Sequence, residues 1–181
     1  MKLQIFLLAV ALCVLAVPGL AADMTYAGQQ TRAIKALSDE DITALRKGEG
    51  TGMAKAAELN GYPGPVHVMA LAAQLGLTET QQRDVKAIFD RMSAAAKPLG
   101  VDLIAQEQAL DQLFANGEIS LDRLIAATAA IAGLQGRLRA VHLSAHLETR
   151  ALLDAGQIAR YEQLRGYGEP RAPGEHNHHH G

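Results

Sequence analysis

The sequence predicts an all-α protein, and its composition and two patterns lead to this class. Hydrophobic residues make up 49% of the chain, yet aromatic residues make up only 4% and tryptophan is absent. Alanine and leucine, which abound here, favour helices, whereas strands favour β-branched and aromatic residues. Apolar residues recur at helical spacing from residue 65 onward, and capping residues precede the apolar runs. We expect a bent four-helix hairpin-type protomer with short N-terminal helices and a disordered His-rich tail.

The charge balance excludes one class of partner. The chain carries 17 Lys and Arg residues against 19 Asp and Glu residues, a formal net charge of −2. Nucleic-acid binding requires a surplus of cationic side chains that neutralise phosphates, and an anionic membrane surface attracts proteins in the same way. We therefore expect no nucleic-acid partner.

Residues 1–21 have the pattern of a cleavable secretory signal peptide. Lys2 precedes an apolar run over 3–17, and small residues favour cleavage after Ala21. The run is shorter than the ~20 residues of a spanning helix, so we expect a periplasmic protein without stable membrane insertion; a retained anchor is the alternative. Cys13, the single cysteine, would leave with the signal. The exported chain would then lack disulfides, thiolate ligands and a cysteine nucleophile.

Residues 22–64 are expected to form an N-terminal extension with short helices and Gly/Pro-rich turns. Ser38 is a typical N-cap residue, and acidic residues follow it in what would be the first helical turn. This short helix is predicted to end near Gly48.

Residues 65–167 are predicted to form the main domain, with four helices. The first spans 65–76 and the second contains Pro98, which should kink it. Caps and turns mark the limits of the later helices at four positions: Thr78, Asn116, Ser120 and Asp154. The apolar stripes of the second and third helices predict three buried residues beside the turn that joins them: Phe114, Leu121 and Ile125.

Two copies of one motif stand at predicted helix starts. The first is Leu77-Thr-Glu-Thr-Gln81 and the second is Leu153-Asp-Ala-Gly-Gln157. In each copy the Thr or Asp can cap the helix, the Gln can bond back to the cap residue, and the Leu can pack as a hydrophobic staple. The pattern therefore serves to start a helix in a fixed geometry.

With these two motifs, the chain resembles the periplasmic LTxxQ family, which includes Spy, CpxP and the heavy-metal-binding ZraP-like and CnrX-like proteins. The resemblance covers 65–167; the first motif matches fully, whereas the second has Asp154 in place of Thr. It implies a bent helical-hairpin protomer, often a homodimer. It also implies a chaperone for unfolded-protein clients, a stress-signalling adaptor for a membrane sensor protein, or a metal sensor and binder.

His142 and His146 are the strongest candidates for metal ligands. They lie four residues apart, so a helix would place both imidazoles on one face at the spacing of two ligands of one metal ion. A zinc protease has a Glu directly after the first His, but this chain has Leu143 there. The alternative is two solvated or hydrogen-bonded histidines on a half-buried face.

The expected hairpin register adds two residues to this pair. At equal rise per residue, His146 lies level with Asp90 on the second helix, and His67 lies one turn away. We therefore predict a site with His67, His142 and His146 as neutral ligands and Asp90 as the fourth, for Zn, Ni, Co or Cu. Met92 lies at the same level and would favour a softer ion such as Cu(I). In the family, CnrX-like proteins take histidines from these two helical regions.

The tail over 168–181 contains a second group of histidines. Four imidazoles occur within its last residues: His176, His178, His179 and His180. Such a tract can bind Zn, Ni or Cu loosely. The alternatives are the remnant of a purification tag and a fortuitous run of histidines.

These observations predict a non-catalytic periplasmic protein that binds a transition-metal ion in sensing, buffering or resistance. We expect no enzyme, because no Glu follows His142, no cysteine remains after export and no paired acids form an obvious constellation. The alternative functions are an ATP-independent chaperone and an envelope-stress signalling adaptor. Histidine ligation predicts that metal affinity falls as the pH drops through roughly 6.5.

Overall fold

The computed structural model describes residues 26–167. Contacts between Cα atoms divide the chain into two units, 1–30 and 31–181. The described part of the first unit, 26–30, consists of a turn over 26–28 and the first two residues of the short 3-10 helix Gln29–Thr31. The predicted signal peptide and the four tail histidines lie outside the described residues.

Among the described residues, the structure has six α-helices and no strand, which confirms the all-α class. The helices are α1 (Asp39–Lys47), α2 (Lys55–Glu58), α3 (Pro65–Ala70), α4 (Glu79–Ala115), α5 (Leu121–Leu152) and α6 (Ala155–Arg165). In this part of the chain, no helix combines the length and apolar character that crossing a membrane requires.

The predicted capping residues begin the helices as expected. The side chains of Ser38, Thr78, Ser120 and Asp154 each accept a hydrogen bond from a backbone N–H in the first turn of the helix that follows. Left-handed Gly48 ends α1, as the sequence predicted, and left-handed Gly166 ends α6.

Helices α4 and α5 form the hairpin at the centre of the fold. One core cluster joins them around Ala96, Leu103, Leu134 and Leu138 and also includes Leu45 of α1. Pro98 stands inside a continuous α4. Near the connecting turn the predicted stripes were wrong, because three apolar residues there are more than half exposed: Phe114, Leu121 and Ile125. Within 26–167, none of the core clusters includes these three side chains.

The two repeated motifs contact each other through their glutamines. Each Gln completes the capping box of its own helix. The Gln81 side-chain amide also donates to Gln157 Oε1 at 2.9 Å, and the Gln157 amide donates back to Gln81 Oε1 at 3.2 Å. Leu77 and Leu153 are both buried in the core cluster beneath this pair. The repeat therefore joins the start of α4 to the start of α6.

The helix predicted over 65–76 is shorter than expected. Regular α-helix ends at Ala70, and turns follow to left-handed Gly76. The early end lets Leu75 and Leu77 turn into the same core cluster as Val68. Burial of these side chains thus outweighs the continuation of the helix.

Candidate functional site

A cavity of about 520 Å³ lies between the glycine-rich loop after α1, the start of α3, the first half of α4 and the second half of α5. Its walls contain both imidazole and apolar side chains. The lining residues that matter for chemistry are His67, Phe89, Met92, His142, His146 and Tyr167. The three histidines predicted from sequence therefore face one cavity.

His142 is the most deeply placed of the three. It lies on the buried face of α5 and is 4% exposed, and its Nε2 atom has no hydrogen-bond partner within the described part of the chain. A Cβ atom at Gly50 would lie 3.0 Å from His142 Nδ1, so the loop after α1 packs directly on the ring. Burial, and then the nearby His146, lower the pKa of His142, so this imidazole is neutral at pH 7.

His146 is held one helical turn further along α5. Its Nδ1 atom lies 2.7 Å from the carbonyl oxygen of Tyr62, which only accepts, so Nδ1 carries a proton and donates. A Cβ atom at Gly64 would lie 2.9 Å from His146 Nε2, so only glycine fits beside the ring there. The backbone before α3 therefore fixes the position of His146 and the proton on its Nδ1 atom.

His67, on α3, also lines the cavity. It is more exposed than the histidines of α5. Partial burial, and then the positive charge of Arg165, lower the pKa of His67, while Glu58 opposes the shift. His146 adds a further, smaller lowering of the pKa of His67.

Asp90 is not among the residues that line this cavity. Its carboxylate accepts from Lys86 Nζ at 2.7 Å, and its side chain is 54% exposed. The hairpin register predicted the position of Asp90 along the axis of α4 but not the direction in which its side chain points. Phe89 and Met92 lie on the face of α4 that lines the cavity. Asp90 is the residue after Phe89, and adjacent residues on a helix point in different directions, so its side chain lies on another face.

Glu49 and Glu58 are the carboxylates that line the cavity, and sequence reasoning missed Glu58 at the end of α2, which lies beside His146. Its Oε1 atom accepts from the hydroxyls of Tyr161 at 2.5 Å and Tyr167 at 3.0 Å, and its Oε2 atom accepts from the Gly64 N–H at 3.1 Å. Arg165 Nε lies 3.4 Å from Oε1. The only sequence signal was an acidic residue in the short helix before a turn cluster, which does not identify its distant partners.

Glu58 also lies close to the histidines. Its Oε2 atom is 3.8 Å from His146 Nδ1, and the side chains of both residues are 11% exposed. Burial, followed by the hydrogen bond to Glu58, raises the pKa of Tyr161, so its hydroxyl stays protonated and keeps donating. Glu58 therefore links α2 to α6, and its carboxylate provides a polar neighbour for His146.

As the side chains stand, no group of three or more His, Cys, Asp or Glu residues within 26–167 is close enough to hold a metal ion. The cavity offers two imidazoles on one face of α5, a third imidazole on α3 and the Met92 thioether on α4. A complete coordination sphere would require a change of side-chain rotamer or further ligands.

Comparison of the chain with protein-family models, with curated proteins and with solved structures finds no match. The resemblance to the LTxxQ family remains a prediction from the two motifs.

Proposed function

We propose that this protein binds a transition-metal ion, without catalysis, in the histidine-lined cavity. The observation that carries the proposal is the Nε2 atom of His142, which is buried without a partner in a cavity that His67 and His146 also line. A buried polar atom without a partner costs free energy, and a bound ligand would recover it. Such an atom is therefore a reason to expect a ligand at this point.

The protonation states support a metal ion as that ligand. Imidazole binds a metal only in its neutral form, and the lowered pKa values of His67 and His142 favour this form. His146 donates through Nδ1 to the Tyr62 carbonyl, an arrangement that in metal sites orients the ring and leaves Nε2 as the ligand atom.

The ligand types suit a borderline ion. Nitrogen ligands four residues apart on one helix can bind a single Zn, Ni, Co or Cu ion, and His67 can approach from α3 by a change of rotamer. The Met92 thioether on the same cavity would add affinity for Cu(I). In the periplasm such a site would serve metal sensing, buffering or resistance.

The test is a calorimetric titration of Zn²⁺, Ni²⁺, Co²⁺ and Cu²⁺ into the full chain. We expect one binding event per chain that is removed in the variant with His142→Leu and His146→Asn. Leucine at 142 keeps the buried volume, and asparagine at 146 can still donate to the Tyr62 carbonyl, so the variant should fold. Nuclear magnetic resonance of imidazole nitrogens in the wild-type chain provides an independent readout, because metal binding shifts the His142 signal.

An unchanged tight binding event in the double variant would contradict the proposal. The chaperone alternative would then lead, because Phe114, Leu121 and Ile125 expose apolar surface at the hairpin turn. Suppression of client aggregation by the chain, compared with its Phe114→Ser variant, would test that alternative.

The metal affinity should depend on pH in a defined direction. Protons compete with the metal for His67 and His142, whose pKa values lie below the ordinary value of 6.5. We therefore expect constant affinity from pH 8 to about 6.5 and a decrease at lower pH. Titrations at several pH values, with circular dichroism as a control for folding, measure this. An affinity that stays the same down to pH 5 would exclude histidine ligation.

A further inference from the structure

The two histidines of α5 do not make a metal site by themselves. Within 26–167, no group of three His, Cys, Asp or Glu residues stands close enough to hold a metal ion. These ligand types leave out methionine, whose thioether sulfur binds soft metal ions. Met92 lines the cavity together with His142 and His146. Its sulfur is therefore a candidate for the third ligand.

The packing of Met92 places it at the level of both histidines. Met92 is 9% exposed and belongs to a core cluster with Ile88 of α4 and Ala145 of α5. Ala145 lies three positions after His142 and directly before His146, and all three residues are on the buried face of α5. Met92 thus packs against the part of α5 that carries the imidazoles. Its long unbranched side chain can change rotamer to turn the sulfur toward an ion.

The charges around the cavity favour an ion of low charge. Neutral imidazoles and a thioether leave the full charge of the ion in a buried site. The carboxylates that line the cavity already have partners. Glu49 lies 3.9 Å from Lys47 at the surface, and Glu58 accepts hydrogen bonds from two tyrosine hydroxyls and a backbone N–H. Because the cost of burying an ion rises steeply with its charge, a monovalent ion is favoured over a divalent one.

The softness of the ligands leads to the same kind of ion. Thioether sulfur selects Cu(I), and imidazole nitrogen also binds copper. Cu(I) accepts trigonal coordination, which needs fewer ligands than a tetrahedral zinc site. We propose, on the basis of the metal-binding function proposed above, that the cavity is selective for Cu(I), held between α4 and α5 by His142, His146 and the Met92 sulfur. The ion enters and leaves as Cu(I), so binding requires no electron transfer.

The experiment is a titration of Cu(I), kept reduced by ascorbate under argon, into the full chain in competition with the chelator bicinchoninate. We expect Met92→Leu to lower the Cu(I) affinity by about tenfold or more. Leucine keeps the buried volume, so this variant should fold, and circular dichroism checks that it does. Met69→Leu is the matched control, because Met69 packs against a different core cluster and is not among the residues that line the cavity.

X-ray absorption spectroscopy of the copper-loaded wild type gives a readout that does not depend on any variant. We expect a copper–sulfur contribution beside the copper–nitrogen contributions. The sulfur contribution should persist in Met69→Leu and disappear in Met92→Leu. A competition with Zn²⁺ measures the selectivity, and we expect an equimolar amount of Zn²⁺ to leave Cu(I) in place.

The outcomes separate this inference from the function on which it rests. A wild-type spectrum with nitrogen ligands alone, or equal Cu(I) affinity in Met92→Leu and the wild type, would overturn the inference and leave the proposed function intact. Displacement of Cu(I) by equimolar Zn²⁺ would overturn the selectivity for a monovalent ion. Tight metal binding that survives His142→Leu with His146→Asn would overturn the proposed function itself.

Discussion

Replacing Gly100 with alanine is expected to destabilise the fold by about 3 kcal/mol, because the new methyl group would meet a backbone atom. A Cβ atom at this position would overlap the carbonyl oxygen of Leu45 in α1. A carbonyl in a helix cannot rotate away as a flexible side chain can, so α1 would have to separate from α4. Ala96 and Leu103 pack in the same cluster and would lose contacts with Leu45.

Denaturant unfolding followed by circular dichroism measures this effect, and α5 provides the control. Gly133 and Gly136 lie in the interior of α5, and a Cβ atom at either position meets no atom within 4 Å. Alanine at these positions should stabilise the protein by about 0.5–1 kcal/mol each, since glycine is a poor helix former. Equal unfolding midpoints for Gly100→Ala and the wild type would contradict the close approach of α1 to α4.

Replacing Glu58 with alanine is expected to cost about 2–3 kcal/mol, because several donors would lose their acceptor in the protein interior. The hydroxyl of Tyr161, a residue only 1% exposed, and the N–H of Gly64 both donate to the Glu58 carboxylate. Arg165 would lose its counter-ion. Glu58→Gln retains the size and an acceptor oxygen, so we expect roughly half of the loss.

Thermal unfolding of Glu58→Ala, Glu58→Gln and a surface control tests the second prediction. Glu49 is the control because its side chain is 57% exposed and lies 3.9 Å from Lys47 at the surface. Glu49→Ala should change stability by less than about 0.5 kcal/mol. If Glu58→Ala were as stable as this control, the carboxylate would not fix α2 to α6 as the hydrogen bonds indicate.

Helix starts could be predicted from sequence because their chemistry is local. Thr78 with Gln81, and Asp154 with Gln157, form their capping boxes between residues three positions apart. No tertiary information is needed for such a bond. The pairing of Gln81 with Gln157 across 76 positions is different, because only the packing of α6 against α4 brings these residues together.

Burial near the hairpin turn was mispredicted for a related reason. Leu121 and Ile125 continue the apolar spacing of α5, and spacing shows which face of a helix is apolar. It does not show how far a partner extends along that face. The core clusters end at Leu110 and Ile131, so the apolar residues beyond them remain exposed.

In the candidate site, the helical spacing of His142 and His146 was sufficient to place both on one face of α5, and the hairpin register brought His67 to the same cavity. The acidic neighbour was not predictable in this way. Asp90 has the expected height on α4 but lies 54% exposed beside Lys86, whereas Glu58 lies beside His146.

The amino-acid sequence by itself determined the helical class, the helix starts and the facing of the two α5 histidines, because these depend on composition and on bonds between residues a few positions apart. Only the tertiary structure decided which residues enclose the cavity, why Gly50 and Gly64 stand beside the histidines, and that Tyr167 lines the cavity wall. These features arise from contacts between distant segments. The direction in which each side chain points and how deeply it is buried depend on how the helices pack, and no local pattern encodes that packing.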